Sequence, residues 1–232
     1  MSRSLTYILK RHAEFQHVVP FIPEVDGLVQ PDLSASNADL TPAIMKDIFL
    51  FSEWFDNLRE KSRALYAIGG YAEHRTVYAN SSVFDGDADR PDRRFHLGVD
   101  IWGEALTPVM SPLPAKVHSK AFNDRKGDYG ATVILEHDLE GKTFFTLYGH
   151  LSKGLLDKLY VGKDLEPGEA FAEFGLPAEN GNWPPHLHFQ IIDELGDRAG
   201  DYPGVCAFEE KDKWLHNSPD PDLILQMRKY LR

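Results

Sequence analysis

The chain has 232 residues and a single cysteine, Cys206. An intrachain disulfide is therefore impossible, and so is a zinc knuckle built on paired cysteines. Any metal site here has to be made from His, Asp and Glu. Cys206 itself reads as a small buried apolar residue rather than a nucleophile. Positive charge is also scarce. Lys and Arg number 25 against 36 Asp and Glu, a formal net charge of -11. Phosphate binding needs clustered basic groups, so nucleic acid is excluded as the expected partner. The acidity gives no help with anionic lipid and is read as a solubility feature. Long apolar runs are missing too. No stretch approaches the length of a membrane span. The N-terminal MSRSLTYILKRHAEFQHVVPF has a longest apolar run of about five residues, too short for a signal-peptide core. The expectation is a cytoplasmic protein with no membrane partner and no evident obligate protein partner. A trimmed signal would make it secreted or periplasmic instead. Internal repeats and low-complexity segments are absent.

What is present supports a packed core: 42% of residues are apolar and 12% aromatic, at a length suited to one sizeable domain with appendages. Residues 1 to about 35 show no periodicity. A helix is expected next, with Thr41 as its cap, Pro42 in its first position and Ile44, Ile48, Phe51, Phe55 and Leu58 on one face. Its Trp54 and Phe55 are read as core residues packing on the next domain. From residue 71 the character is β. Thr76-Val77-Tyr78, Lys116-Val117-His118, residues 131–135 and residues 143–148 are rich in β-branched and aromatic residues, with turn signals between them. Leu139-Glu140-Gly141-Lys142 reads as a hairpin turn. The fold class is mainly β: a compact antiparallel, sandwich-like sheet domain over 71–199. An N-terminal helical appendage (1–70) precedes it, and a C-terminal extension (200–232) follows, helical from Asp222.

Three histidine segments stand out. In Phe95-His96-Leu97-Gly98-Val99-Asp100, His96 and Asp100 share a face of an extended strand but lie about 13 Å apart, at roughly 3.3 Å per residue. Gly98 between them is where the chain could bend and bring both side chains to one point. In Pro185-His186-Leu187-His188-Phe189, strand alternation puts His186 and His188 on one face and Leu187 and Phe189 on the other. Two imidazoles on one face are costly to bury without a partner, so they face water or a metal. In Tyr148-Gly149-His150-Leu151-Ser152, His150 is placed at the end of a strand, near a loop. Tyr148 alternates with core positions and is read either as packing or as a further donor.

Taken in order, His-Leu-Gly-Val-Asp at 96–100, Tyr-Gly-His-Leu-Ser at 148–152 and His-Leu-His-Phe at 186–189 resemble the motifs of the lysostaphin-type zinc metallopeptidases, which cut peptide cross-links of bacterial cell walls. Lesser agreement includes Thr107-Pro108-Val109, Gly130-Ala131-Thr132-Val133 and Phe174-Gly175. The resemblance implies one zinc ion per chain, held by His96, Asp100 and His188, with His150 and His186 catalytic. It implies the duplicated-hybrid-motif fold and a groove for a peptide or peptidoglycan substrate. Three N/O ligands leave a fourth tetrahedral position open, the catalytic pattern. No His-Glu-x-x-His supplies a Glu base, so His150 and His186 share the base and oxyanion roles, unassigned between them. Residues 177–185 depart from the Gly/Ser/Thr-rich stretch usual before the histidine pair and should border the groove. The charged segment from Ser81 to Arg94 is read as a second wall or as a plain surface loop. Competing readings are a zinc-retaining regulatory module, a zinc hydrolase with a cytoplasmic substrate, and a phosphocarrier, in which Asp100 has no clear duty.

Overall fold

Where β-branched and aromatic residues cluster, the chain is extended. The computed structural model describes residues 3–34, 37–75, 85–86 and 91–231. Helix α1 (Leu5–Arg11) and strand β1 (Leu28–Val29) precede helices α2 (Pro42–Lys46) and α3 (Ile48–Ser62). Then come β2 (Tyr66–Gly69), β3 (Phe95–His96), β4 (Val99–Trp102), β5 (Pro108–Met110), β6 (Ala115–Asn123), β7 (Gly130–Leu139) and β8 (Lys142–Leu151). After α4 (Lys153–Leu156) follow β9 (Asp164–Leu165), β10 (Ala170–Glu173), β11 (His186–Ile192) and β12 (Val205–Cys206). Helices α5 (Lys211–Asn217) and α6 (Asp222–Leu225) complete the order. The expected strand at Thr76-Val77-Tyr78 lies outside the described residues, as does most of the segment from Ser81 to Arg94. Among the described residues no helix is long and apolar enough to cross a membrane.

The molecule is mainly β. Eight strands form one sheet in the order β1-β2-β4-β11-β8-β7-β6-β9. Every neighbouring pair is antiparallel except β1 with β2. Strands β5 with β10 and β3 with β12 form two small separate pairs. β1 and β2 come from the N-terminal segment, so that segment adds strands to the sheet as well as helices. The expected hairpin joins β7 to β8. Leu139 pairs with Lys142, and Glu140 and Gly141 between them have φ of 54° and 78°. Two positive φ values make the tight turn that matches strand twist, which is why glycine sits there.

Strand alternation sets the site apart from the core. On β11, Leu187, Phe189 and Ile191 enter the main apolar cluster with Val99, Ile101, Val133 and Tyr148. His186, His188 and Gln190 point to the opposite face. That face is also covered, and every residue of β11 is buried.

The helix expected around Thr41 is two helices. Thr41 caps α2, its hydroxyl accepting from Ile44 N–H at 3.3 Å, with Pro42 in the first turn. Asp47 then leaves helical geometry (φ -101°, ψ 111°) and caps α3 through Phe49 and Leu50 N–H. A short polar side chain that competes for backbone N–H groups breaks the periodic run. Phe51 and Phe55 pack in a second apolar cluster with Trp102 and Val205, and Trp54 packs against it. At the other end, α6 is a single turn, stopped by Gln226 in the left-handed region (φ 50°). Its Ile224 and Leu225, with Met227, join the main core. Cys206 is buried on β12, and burial pushes its thiol up to about 11.

One buried histidine lies outside the site. His137 Nδ1–H donates to Pro114 O (3.0 Å), and its Nε2 meets Thr146 Oγ1 at 2.7 Å. Thr146 Oγ1 also contacts Tyr148 Oη at 3.1 Å, so Tyr148 is spent on packing and this network. Burial lowers the His137 pKa to about 4. The unfolded chain therefore takes up a proton below about pH 6.5 that the folded chain refuses until about pH 4. Stability should fall as pH drops through that window, by about 3 kcal/mol for this one group. Denaturant titrations across the window check it: His137→Gln should reduce the pH slope by about one proton, and an unchanged slope would refute the assignment.

Candidate metal centre

β11 pairs with β4 so that His188 stands opposite Asp100. His96 ends β3, and the chain bends at Leu97-Gly98 before β4 begins at Val99. The bend brings three donor atoms together. His96 Nε2 and His188 Nδ1 are 3.0 Å apart, His188 Nδ1 is 3.0 Å from Asp100 Oδ1, and His96 Nε2 is 3.4 Å from the same oxygen. All three residues are buried. Gly98 is required by close approach as well as by the bend. A Cβ at that position would lie 2.4 Å from His188 Cε1, inside the distance atoms tolerate.

The partners of the remaining atoms decide what this cluster can hold. His96 Nδ1 faces Gly70 O at 2.9 Å. A carbonyl only accepts, so Nδ1 carries the proton and Nε2 presents a lone pair. His188 Nε2 faces Gln190 Oε1 at 3.0 Å and, farther off, Tyr129 Oη at 3.4 Å; a proton given to the nearer amide oxygen leaves Nδ1 as the lone pair. Asp100 Oδ2 accepts from Arg75 Nη1 at 2.5 Å. Burial alone would raise the Asp100 carboxyl, but His96 and Arg75 outweigh it and hold the group well below the usual range. His96 is lowered to about 4, by burial and then by Arg75. Two lone pairs and a carboxylate oxygen thus converge with no donor between them. Donors about 2.0–2.1 Å from a tetrahedral zinc stand about 3.3 Å apart, and the observed 3.0–3.4 Å matches this. The set is N/O only and three in number. It fits zinc with one position left for a substrate or water.

His150 and His186 share the same cleft of about 280 Å³, lined also by Trp102, Tyr129 and Trp183. Their rings are 4.1 Å apart, and His150 is 6.4 Å from His188. His150 Nδ1–H donates to Asn180 O (2.8 Å) and His186 Nδ1–H to Pro184 O (2.7 Å). Each therefore keeps Nε2 as an acceptor. Burial keeps both neutral: His186 is lowered to about 4 against the opposing pull of Asp100, and His150 is held well below its ordinary value by burial and then by His186. His150 does not end its strand. The β7–β8 register slips by one residue between Tyr148 and Leu151, and His150 sits in that bulge with φ 61°. A bulge re-aims a side chain out of the alternation, and a non-glycine residue held at positive φ marks stored strain. A column of stacked rings backs the pair: Phe55 lies on Trp102 (4.7 Å) and Trp102 on His186 (5.7 Å).

All five histidine and aspartate residues picked from the motifs therefore meet in one cleft. Residues 177–185 do border it, through Trp183 and Pro184, and fully buried Asn180 braces that loop through Gly175 O and Trp183. Sequence reasoning missed Arg75, Tyr129, Asn180 and Gln190. Gln190 was findable, because it lies two residues beyond His188 on the same strand face. Tyr129 packs against His150 and His188 at 5.5 and 5.1 Å and carries no local signal of that role.

Residues 94–199 match the sequence model of the family described as Peptidase family M23. Over 143 residues the chain is 28% identical to the L-Ala--D-Glu endopeptidase of Bacillus subtilis (strain 168), covering 58% of this chain and 42% of that protein. The chain thus spans less than half the length of this curated relative. Among solved structures, it is similar to the catalytic domain of the antimicrobial peptidase lysostaphin from Staphylococcus simulans. That match has 20% identity, covers 75% of this chain and 97% of that one, and gives a TM-score of 0.43. A zinc containing peptidase from Vibrio cholerae matches at 27% identity over 42% of this chain and 27% of its own, with a TM-score of 0.35.

Proposed function

We propose, from the premise that residues 94–199 are a peptidase family M23 domain, that this chain is a zinc-dependent metalloendopeptidase. Its substrates are peptide bonds in peptidoglycan cross-links or related Gly- and Ala-containing peptides. The observation that carries the reading is the convergence of His96 Nε2, His188 Nδ1 and Asp100 Oδ1, with two further neutral imidazoles in the same cleft. Zinc bound there supplies a Lewis acid that activates water and polarises a carbonyl. The chain's own residues do the rest. Nε2 of His150 or His186 accepts the proton of the attacking water, and that same proton, passed on through the pair, goes to the leaving amine as the C–N bond breaks. Trp102, Trp183 and Pro184 wall the cleft against bulk water. Asp100 has a definite duty here, which the phosphocarrier reading denies it.

Metal removal is the direct test. Protein stripped by a chelator should lose hydrolysis of intact peptidoglycan and of tetra- and pentaglycine peptides, and one equivalent of zinc should restore it. Stoichiometric zinc with no cleavage of any of these would favour the regulatory reading, or a zinc hydrolase with another substrate.

A further inference from the structure

The three converging side chains have one property in common. The atom of each that faces away from the cluster is held, directly or through one residue, from outside residues 94–199. His96 Nδ1–H is held by Gly70 O, just past β2. Asp100 Oδ2 is held by Arg75, whose Nε is itself paired with Glu73 Oε2 at 2.6 Å. His188 Nε2–H is held by Gln190 Oε1, and the Gln190 amide is fixed from the C-terminal side. Its Nε2 donates to Pro203 O (3.2 Å) and to Ser218 Oγ (2.9 Å). Pro203 O can only accept, and together with Ser218 Oγ it takes the two amide hydrogens, which turns the Gln190 oxygen to His188. Ser218 is fully buried, caps the end of α5, and its carbonyl accepts from Tyr71 Oη at 2.9 Å.

We infer that the flanking segments are integral parts of the metal centre: Arg75 orients Asp100, and Ser218 acts through Gln190 to fix which nitrogen of His188 faces the metal. Arg75 and Ser218 are positioning residues, and both lie beyond the segment that the family shares. The pattern is asymmetric. His96 is held as the Nδ1–H form by the Gly70 carbonyl, and His188 as the Nε2–H form by the nearer of its two outer contacts, Gln190 Oε1 at 3.0 Å against Tyr129 Oη at 3.4 Å. Without Ser218 the Gln190 amide keeps Pro203 O as its one remaining acceptor, so the orientation that fixes the His188 tautomer is held less firmly. Outer partners of metal-bound histidines commonly set metal affinity by about 10–100-fold.

This inference rests on the zinc reading, and its test separates the two. Zinc dissociation constants are measured by competition with a chromophoric chelator, for wild type, Ser218→Ala, Gln190→Met, the double variant and Arg75→Met. Melting of the zinc-free proteins serves as the folding control. Gln190→Met should weaken zinc about 10–100-fold and Ser218→Ala about 10-fold. The double variant should be no weaker than Gln190→Met alone, because both break one chain of contacts. Nitrogen-15 spectra of the zinc-free protein at mildly alkaline pH should show His188 as the Nε2–H tautomer in wild type and as a mixture in Ser218→Ala. A merely structural role would not move that signal. Wild type that binds zinc, beside variants within threefold of it and an unmoved His188 tautomer, would overturn this inference and leave the proposed function standing. Additive losses in the double variant would also overturn the path through Gln190. Wild type that binds no zinc overturns both.

Discussion

His188→Ala is expected to give a folded protein that holds zinc far more weakly and cleaves no peptidoglycan or glycyl peptide above background. His188 supplies one of three converging donors, and its Nδ1 is the atom within 3.0 Å of both the others. Losing a ligand should cost more than the ~10–100-fold typical of outer partners. Folding should survive, because the apolar face of β11 (Leu187, Phe189, Ile191) is untouched. Asp100→Ala is a poorer probe. It would take from the buried Arg75 cation one of its carboxylate partners, leaving Glu73, and removing one member of a buried ion pair costs up to about 3–5 kcal/mol. Metal content and peptide cleavage, measured on the same preparation, decide the matter. Stoichiometric, tightly held zinc in His188→Ala would remove His188 from the ligand set.

The second large effect belongs to His150 and His186. Each change to Ala should lower kcat by about 10²–10⁴, with zinc content unchanged. The double change should cost little more than the worse single one if the two hand on one proton as a unit. The wild-type profile of kcat/KM should hold into mildly acidic pH. Both imidazoles are kept neutral by burial, His186 down to about 4, and rate is lost only when the base takes a proton. An acid limb centred near 6.5 would contradict this. Whichever single variant abolishes the acid limb identifies the base. Zinc loss in either variant would instead make that residue a ligand.

The motifs were legible because strand alternation is a local rule. His186 and His188 on one face, Leu187 and Phe189 on the other, follow from period two alone, and the bend at Gly98 follows from the distance that a straight strand would impose. The hairpin at Glu140-Gly141 follows from turn chemistry. Other features depend on distant sequence. Arg75 reaches Asp100 across 25 positions and Ser218 reaches Gln190 across 28, and neither carries a signal at its own position. The His150 bulge was hidden for a related reason: a one-residue slip in pairing is a property of two strands, not one. The single helix expected after Thr41 is two because Asp47 caps the second, and there one capping residue outweighs a periodic apolar run.

The position of β11 in the sheet has a consequence for how the molecule comes into being. β4 and β8 are neighbours in space only through β11, which is made after both. With residues 186–192 taken away, the sheet divides into β1-β2-β4 and β8-β7-β6-β9 with bare facing edges, the exposure that invites wrong pairing. When residues 186–192 enter that gap, they close both edges at once. The same seven residues deliver His186 and His188. Completing the sheet and assembling the cluster are one event, and loop closure across nearly ninety residues of chain makes it a late one. Without β11 the chain has neither a sealed sheet nor the His188 that the proposed metal cluster needs. The chemistry proposed for the cluster is withheld until the architecture is whole.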